Sequence, residues 1–276
     1  MKRLVALLDA YQVPEILEKC IECFFYLSLN RKNRREIVNT GVHHHFPKLF
    51  NTGTVATRAF LLLMIGNLLQ VDLYHDKIAR DDIICLILDM LSPSEIKQCT
   101  GAAYCVCMLA QVHASAEVLV RNNVVNVTLE LIPKSPSKDA SGYMWTLLVN
   151  LSNTHDFFVN MVSDENLVPE INREVNTAEG ELRTTLTQLC LNLTSKEEIG
   201  SMLSSANIVL LAQTLKVLFS TSHLHADTCT LIRSTSLSAL NNLAVYVPAV
   251  RGAILAQDLI HLFEEAGFDD KSHVLK

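Results

Sequence analysis

Histidine and cysteine residues are the chain's main candidates for catalysis or metal binding. Three patterns hold them at short spacing: His223-x-His225-x-Asp227-x-Cys229, the consecutive histidines 43–45, and Cys20-x-x-Cys23. Alternate residues of an extended loop face one way, so the first pattern suits a metal ion. Consecutive helical residues diverge by about 100°, which makes three histidines in a row a poor chelate. The cysteine pair lacks a second pair of ligands, so we expect no structural zinc site there.

Motifs of common enzyme classes are absent from the sequence. It contains no Gly-rich phosphate loop, no HExxH, no GxSxG and no paired-carboxylate constellation. We therefore predict a protein that is not an enzyme and that has no cofactor and no metal. The alternative is a metal-dependent or hydrolytic helical enzyme that uses the His-rich loop 220–230.

Composition narrows the class of protein further. Of 276 residues, 49% are hydrophobic, 6% aromatic and 19% charged, against roughly 25% charged in typical domains, which excludes a disordered chain. The net charge of −6 argues against a nucleic-acid partner. No apolar run approaches the roughly 20 residues of a membrane span, and no secretory signal is visible. We expect a cytoplasmic protein (nuclear as the alternative) without membrane insertion, whose eight cysteines are mostly core thiols.

Six similar segments recur along the chain, at residues 24–29, 63–68, 104–109, 146–151, 188–193 and 238–243. We call the residue before the last leucine of each segment its marker. The markers are Ser28, Asn67, Met108, Asn150, Asn192 and Asn242, so successive spacings are 39, 41, 42, 42 and 50 residues. After each marker come a polar turn, a short apolar helix, a second helix and then the longer helix with the next marker. A period near 40–47 residues is typical of armadillo and HEAT repeats, and three helices per unit favour armadillo.

The pattern resembles the armadillo consensus, in which a third helix ends in an Asn-Leu motif. Gly41 matches the consensus glycine after the first helix, and Asn123 and Asn166 lie near the corresponding turns. The resemblance covers essentially the whole chain. It implies an all-α, right-handed α-solenoid of about six three-helix repeats that is incomplete at both ends. We expect one domain over residues 1–276, with repeats at 31–69, 70–110, 111–152, 153–194 and 195–244 and partial repeats at 1–30 and 245–276.

Two insertions and both chain ends depart from the regular pattern. Residues 220–230 and 134–142 are polar and are predicted to be loops. Residues 4–8 and 258–263 read as second helices of incomplete repeats, with apolar residues at Leu4, Leu7, Leu8, Leu259, Leu262 and Phe263. We expect either further solenoid repeats or end-to-end contacts with a partner at both termini. The alternative is that irregular terminal residues cap the stack.

The armadillo resemblance implies a concave groove that is lined by the third helices and binds an extended peptide or a helix. In relatives the marker asparagine holds the ligand backbone. Positions 4, 7 and 11 residues before a marker share its helix face. The candidate binding residues are Phe24, Phe60, Leu63, Asn67, Tyr104, Met108, Tyr143, Asn150, Gln188, Asn192 and Asn242. Two alternatives stay open: the phase is off by one and these are core residues, or the asparagines join helix to helix.

The candidate groove differs from those of two relatives. Importin-α-like receptors pair the marker asparagine with a tryptophan array, but this chain has only Trp145, five residues before its marker. β-Catenin-like grooves are strongly basic, whereas Lys97 is the only basic groove position here. A basic segment at residues 31–35 is either a solvated turn or a contact for phosphate or an acidic partner. We predict a protein-interaction scaffold or adaptor; the further alternative is a structural solenoid segment of a larger protein without its own ligand.

Overall fold

A computed structural model describes residues 1–71, 74–220 and 224–248. In that part of the chain the regular structure is helical and contains no strand. The helices come in sets of three, as the sequence repeats predict. They divide into two compact units, Met1–Leu151 and a second unit that begins at Ser152. The division falls one residue before the predicted repeat boundary, which lies between residues 152 and 153.

The first unit contains one two-helix set and three three-helix sets. A set ends with its third helix, and the third helices are α2, α5, α8 and α11. The helices are α1 (Lys2–Ala10), α2 (Pro14–Leu29), α3 (Arg31–Asn39), α4 (Phe46–Thr52), α5 (Val55–Leu69), α6 (His75–Ile78), α7 (Asp81–Asp89), α8 (Ile96–Leu109), α9 (His113–Arg121), α10 (Val124–Leu131) and α11 (Lys138–Ser152). Short 3₁₀ helices precede α4 (Val42–His45) and follow α10 (Ile132–Lys134).

Local sequence signals explain where these helices start and turn. Pro14 occupies the first turn of α2, and the Thr54 hydroxyl accepts the Thr57 N–H at the start of α5. Gly41 (φ 80°) and Asn123 (φ 60°) adopt the left-handed conformation between first and second helices. Glycine and asparagine tolerate this conformation best, which explains the match of Gly41 to the consensus.

The third helices of the first unit pack side by side, α2 on α5 and α5 on α8. Helix α5 is buried along most of its surface, including Leu61, Leu62 and Ile65. Gly101 allows α8 to approach closely, because a Cβ there would lie 2.9 Å from the Leu62 Cβ. Trp145 is fully buried in α11, so it does not lie on a ligand-binding face.

The second unit contains two three-helix sets within the described residues. Its helices are α12 (His155–Val162), α13 (Leu167–Val175), α14 (Gly180–Thr194), α15 (Ile199–Met202), α16 (Ser205–Phe219) and α17 (Ala226–Tyr246). The second helices α13 and α16 pack together, as do the third helices α14 and α17. This arrangement repeats the set-on-set packing of the first unit.

Three segments predicted to be loops or turns are partly helical. Helix α11 begins at Lys138 within the predicted loop 134–142, because the Ser137 hydroxyl accepts the Ala140 N–H and caps the helix. Helix α17 begins at Ala226 within the predicted loop 220–230, with Asp227 in its first turn, where a negative charge is favourable. The basic segment 31–35 forms the start of α3 rather than a turn.

The apolar N-terminal residues are only partly accessible. Leu8 is buried, Leu4 is half-buried and Leu7 is 37% exposed. The predicted second helix at 258–263, with its apolar residues, lies outside the described residues, as does most of the partial repeat 245–276. Within the described residues, we find no helix long and apolar enough to cross a membrane.

Candidate functional site

The candidate site in the first unit is the accessible face of the third helices α5, α8 and α11. On α5, Phe60 and Leu63 are half-buried, whereas the flanking residues Leu61 and Leu62 have no exposed surface. On α8 and α11, the accessible face carries Tyr104, Met108 and Tyr143, which are also half-buried. We call these five residues, Phe60, Leu63, Tyr104, Met108 and Tyr143, the third-helix face. They are accessible at the helical spacing that the markers predict.

The register predicted for α2 is wrong. Phe24 and Ser28 have no exposed surface, whereas Phe25 is half-buried and Leu29 is exposed. Phe24 therefore belongs to the core, and Phe25 replaces it beside the third-helix face.

The hydrogen bonds of Ser28 explain this error. The Ser28 hydroxyl accepts from Asn67 at 3.0 Å, in the same way that the Ser152 hydroxyl accepts from Asn192 at 2.8 Å. Ser152 lies two residues after the marker Asn150. Ser28 therefore corresponds to Ser152, which follows a marker, and not to a marker itself, although it precedes a leucine as the other markers do.

Two aromatic pairs lie along this side of the first unit. The ring centroids of Phe25 and Phe60 are 5.6 Å apart, and those of Tyr104 and Tyr143 are 5.1 Å apart. Tilted rings at these distances attract each other beyond simple burial. Each pair joins neighbouring third helices and leaves part of its apolar surface accessible.

Tyr104 is held at a fixed position on the third-helix face. Its ring lies on the backbone of α5 at Gly66, where a Cβ would overlap the ring. The Gln70 amide donates to the Tyr104 hydroxyl, which donates to the Asn67 side-chain oxygen Oδ1 at 3.5 Å. Burial raises the pKa of Tyr104, so the phenol stays protonated and can donate at neutral pH.

The marker asparagines of the first unit bond to the preceding repeat. The Asn67 amide donates to Ser28, and the Asn150 amide donates to the Cys107 carbonyl at 3.1 Å. Asn67 is only 8% exposed. Helix-to-helix bonding, one of the two sequence-based interpretations, is thus present; binding of a ligand backbone by these amides stays a prediction.

The second unit presents a polar version of this face on α14 and α17. Gln188 is exposed, and its amide donates to the Asn192 side-chain oxygen Oδ1 at 2.8 Å. The Asn192 amide donates to Ser152 and, at 3.1 Å, to the Asn153 side chain. Asn242 is half-buried on α17, near the exposed Ser238. Uncharged polar groups therefore dominate this part of the second unit.

The residues of the predicted metal pattern do not converge in the part of the chain that is described. Asp227 is 97% exposed, whereas Cys229 is buried and its thiol lies 3.3 Å from the Leu224 carbonyl oxygen. His225 approaches Asp227 at 3.9 Å, and His223 lies outside the described residues. Among the residues described, no group of three His, Cys, Asp or Glu side chains could hold a metal ion.

Sequence reasoning also missed a buried polar contact around His75, on the short helix α6. The His75 ring is 1% exposed and bonds to the Leu69 carbonyl oxygen and the Ser115 hydroxyl, each at 2.9 Å. The carbonyl can only accept, so His75 Nε2 carries the proton and Nδ1 accepts from Ser115. The spacing of 40 residues between His75 and Ser115, close to the repeat period, was the available signal.

Comparisons with known proteins identify the fold. No known family model matches the sequence, and no curated protein matches it. A computationally designed armadillo repeat protein for modular peptide recognition matches 87% of this chain and 98% of its own, with TM-score 0.76 and 12% identity. A designed armadillo repeat protein in complex with the peptide (KR)4 matches with TM-score 0.75 and 13% identity, over 87% of this chain and 98% of its own. An engineered protein matches 99% of this chain and 65% of its own, with TM-score 0.80 and 15% identity.

The chain therefore has an armadillo-like repeat fold, an all-α solenoid of three-helix repeats. At these identities the comparisons establish the fold and not the ligand.

Proposed function

We propose that the chain is a protein-interaction scaffold whose third-helix face in the first unit binds a peptide or a helix of a protein partner. The observation that carries this proposal is the row of half-buried apolar side chains on successive third helices. Contiguous apolar patches larger than a few hundred Å² are rare on monomeric proteins and mark partner sites. The solved structures with a similar fold include a designed protein made for peptide recognition and another in complex with a peptide.

The geometry suits a ligand with apolar anchors. Leu63 and Met108 offer flexible aliphatic contacts, and the aromatic pairs offer rigid ones. Polar groups that would bind a peptide backbone adjoin them, notably the Tyr104 hydroxyl and the Gln70 amide, which bond to each other in the free chain. Apolar pockets for side chains beside groups for the main chain are the two requirements of peptide capture.

The polar face of the second unit would have a separate and smaller role in peptide binding. Gln188, Asn192 and Asn242 present amides that both donate and accept hydrogen bonds. They would hold an extended backbone without selecting its side chains. The proposal assigns no catalytic step to either unit and, as the sequence suggests, places the scaffold in the cytoplasm.

A peptide-display selection tests the proposal. The immobilised full chain is used to select from a random 12-residue library, and a selected peptide is then titrated against purified variants. Met108→Glu should weaken binding at least tenfold, because it puts a charge on the apolar face. Val127→Glu, a half-buried control on the second helix α10, should leave binding within about twofold.

Two results would contradict the proposal. The first is a selection that enriches no peptide with aromatic or aliphatic residues. The second is equal weakening by Met108→Glu and Val127→Glu, which would show that stability rather than the face determines binding. Circular dichroism of each variant would confirm that the helices are intact.

A further inference from the structure

A cluster of basic residues lies at the start of α3, beside the third-helix face. Arg31, Lys32 and Arg35 are exposed, and Arg34 is 6% exposed. We call these four residues the basic edge. Within residues 1–71, 74–220 and 224–248, none of the four forms an ion pair with a carboxylate.

Arg34 has a structural role that the exposed residues do not share. Its Nε donates to the Ser28 carbonyl at 2.8 Å, in the last turn of α2. A cation is favourable at a helix C-terminus. No corresponding hydrogen bond involves the Arg31 or Arg35 side chain in the described part of the chain.

The exposed arginines are placed where like charges repel. Arg31 and Arg35 are four residues apart and therefore neighbours on one side of α3. Both lie in the first turns of the helix, where the macrodipole is positive and disfavours cations. This arrangement is unfavourable without a ligand, and an anion would relieve it.

Hydrogen bonds connect the basic edge to the third-helix face. Arg34 Nη1 donates to the Gln70 side chain at 2.6 Å, and the Gln70 amide donates to the Tyr104 hydroxyl. A peptide in contact with Tyr104 would therefore pass close to the start of α3. The anionic group and the apolar anchors can belong to the same ligand.

The number and type of basic groups favour a phosphate over a carboxylate. A guanidinium is a planar fork that binds two oxygens of an oxyanion. One carboxylate, with one charge and two oxygens, satisfies one fork. A phosphate monoester carries about −1.5 to −2 charges and three acceptor oxygens, which suits the forks of Arg31 and Arg35 together.

We propose that Arg31 and Arg35 bind a phosphoserine or phosphothreonine of the peptide that occupies the third-helix face. This inference rests on the proposed function, because the same peptide supplies the apolar anchors. The phosphate would make the scaffold's binding dependent on phosphorylation of its partner.

Three immobilised peptide libraries test the inference with the full chain. Each has degenerate flanks around one fixed residue, which is phosphoserine, glutamate or serine. The wild-type chain should retain at least tenfold more signal on the phosphoserine library than on the other two. The double variant Arg31→Ala/Arg35→Ala should bring the phosphoserine signal to within about twofold of the serine signal.

A matched control removes two positive charges elsewhere in the first unit. Lys134 and Lys138 are exposed, and neither pairs with a carboxylate in the described part of the chain. Lys134→Ala/Lys138→Ala should keep the phosphoserine preference. Loss of the preference in this control would overturn the inference, since net charge alone would then explain it.

Further outcomes separate this inference from the proposed function. Equal signals from the phosphoserine and glutamate libraries would overturn the phosphate assignment and leave peptide binding intact. A phosphoserine preference that survives Met108→Glu undiminished would support the basic edge and contradict the third-helix face. Arginine-dependent sedimentation with phosphatidylserine vesicles, without any phosphopeptide preference, would also overturn the inference.

Discussion

Gly66→Ala should destabilise the first unit, although alanine is the better helix former. In a helix interior this replacement normally stabilises by about 0.5–1 kcal/mol. Here the new Cβ would overlap the Tyr104 ring, and overpacking costs about 1–3 kcal/mol. The ring would also leave its contacts with Gln70 and Asn67. We expect a net loss of about 1–2 kcal/mol in the free energy of unfolding.

The chain offers a natural reporter and a matched control for this prediction. Trp145 is the single tryptophan and is fully buried in the first unit, so its fluorescence reports urea unfolding of that unit. Gly142 lies in α11, and a Cβ added there would meet no atom within 4 Å. Gly142→Ala should therefore stabilise the unit by about 0.5–1 kcal/mol.

A double-mutant cycle identifies the cause. In a Tyr104→Ala background, Gly66→Ala should no longer destabilise, because the ring that opposes the methyl group is gone. A steric conflict with Tyr104 is refuted if Gly66→Ala stabilises the wild-type chain as Gly142→Ala does. It is also refuted if the cost is unchanged without Tyr104.

Three other predictions concern the burial of histidine and cysteine side chains. His75→Ala should lower the free energy of unfolding by about 2–4 kcal/mol in urea titrations, because it leaves two buried partners unbonded; a loss under 0.5 kcal/mol would contradict this. Only Cys23 and Cys85 should react rapidly with a thiol reagent in the native chain, since the other six cysteines are buried; more than two fast thiols would contradict the core. Burial lowers the pKa of His43 below its ordinary value of 6.5. The unfolded chain therefore binds more protons at this residue than the folded chain does, so the free energy of unfolding falls as the pH drops below about 6.5. His43→Gln should reduce that fall in thermal unfolding measured from about pH 7 to 5.

Repeat periodicity was the feature of the fold that could be predicted from the sequence. The marker spacing predicted three-helix sets because each repeat buries the same helix faces on its neighbours. The markers and the turn of about 100° per helical residue together predicted which positions of α5, α8 and α11 are accessible, including Phe60, Tyr104 and Tyr143. That these residues bind a partner stays a prediction.

The errors arose where a short sequence motif was used to assign a residue's position in the three-dimensional structure. Ser28 precedes a leucine like the other markers. Its hydroxyl, however, accepts from the Asn67 amide as the Ser152 hydroxyl accepts from Asn192, so Ser28 corresponds to a position after a marker. The register of α2, and with it Phe24, was therefore misassigned. The link from Arg34 through Gln70 to Tyr104 joins two repeats, and no local pattern encodes such contacts.

Methyl NMR of methionine-labelled protein would test the third-helix face most directly. Met108 is half-buried on that face, whereas Met90 and Met202 are half-buried elsewhere, and Met108→Leu would assign its signal. On titration with a selected peptide, we expect the Met108 signal to shift in proportion to bound peptide while the Met90 and Met202 signals stay unchanged. A saturating peptide that leaves the Met108 signal unmoved would contradict peptide binding at the third-helix face.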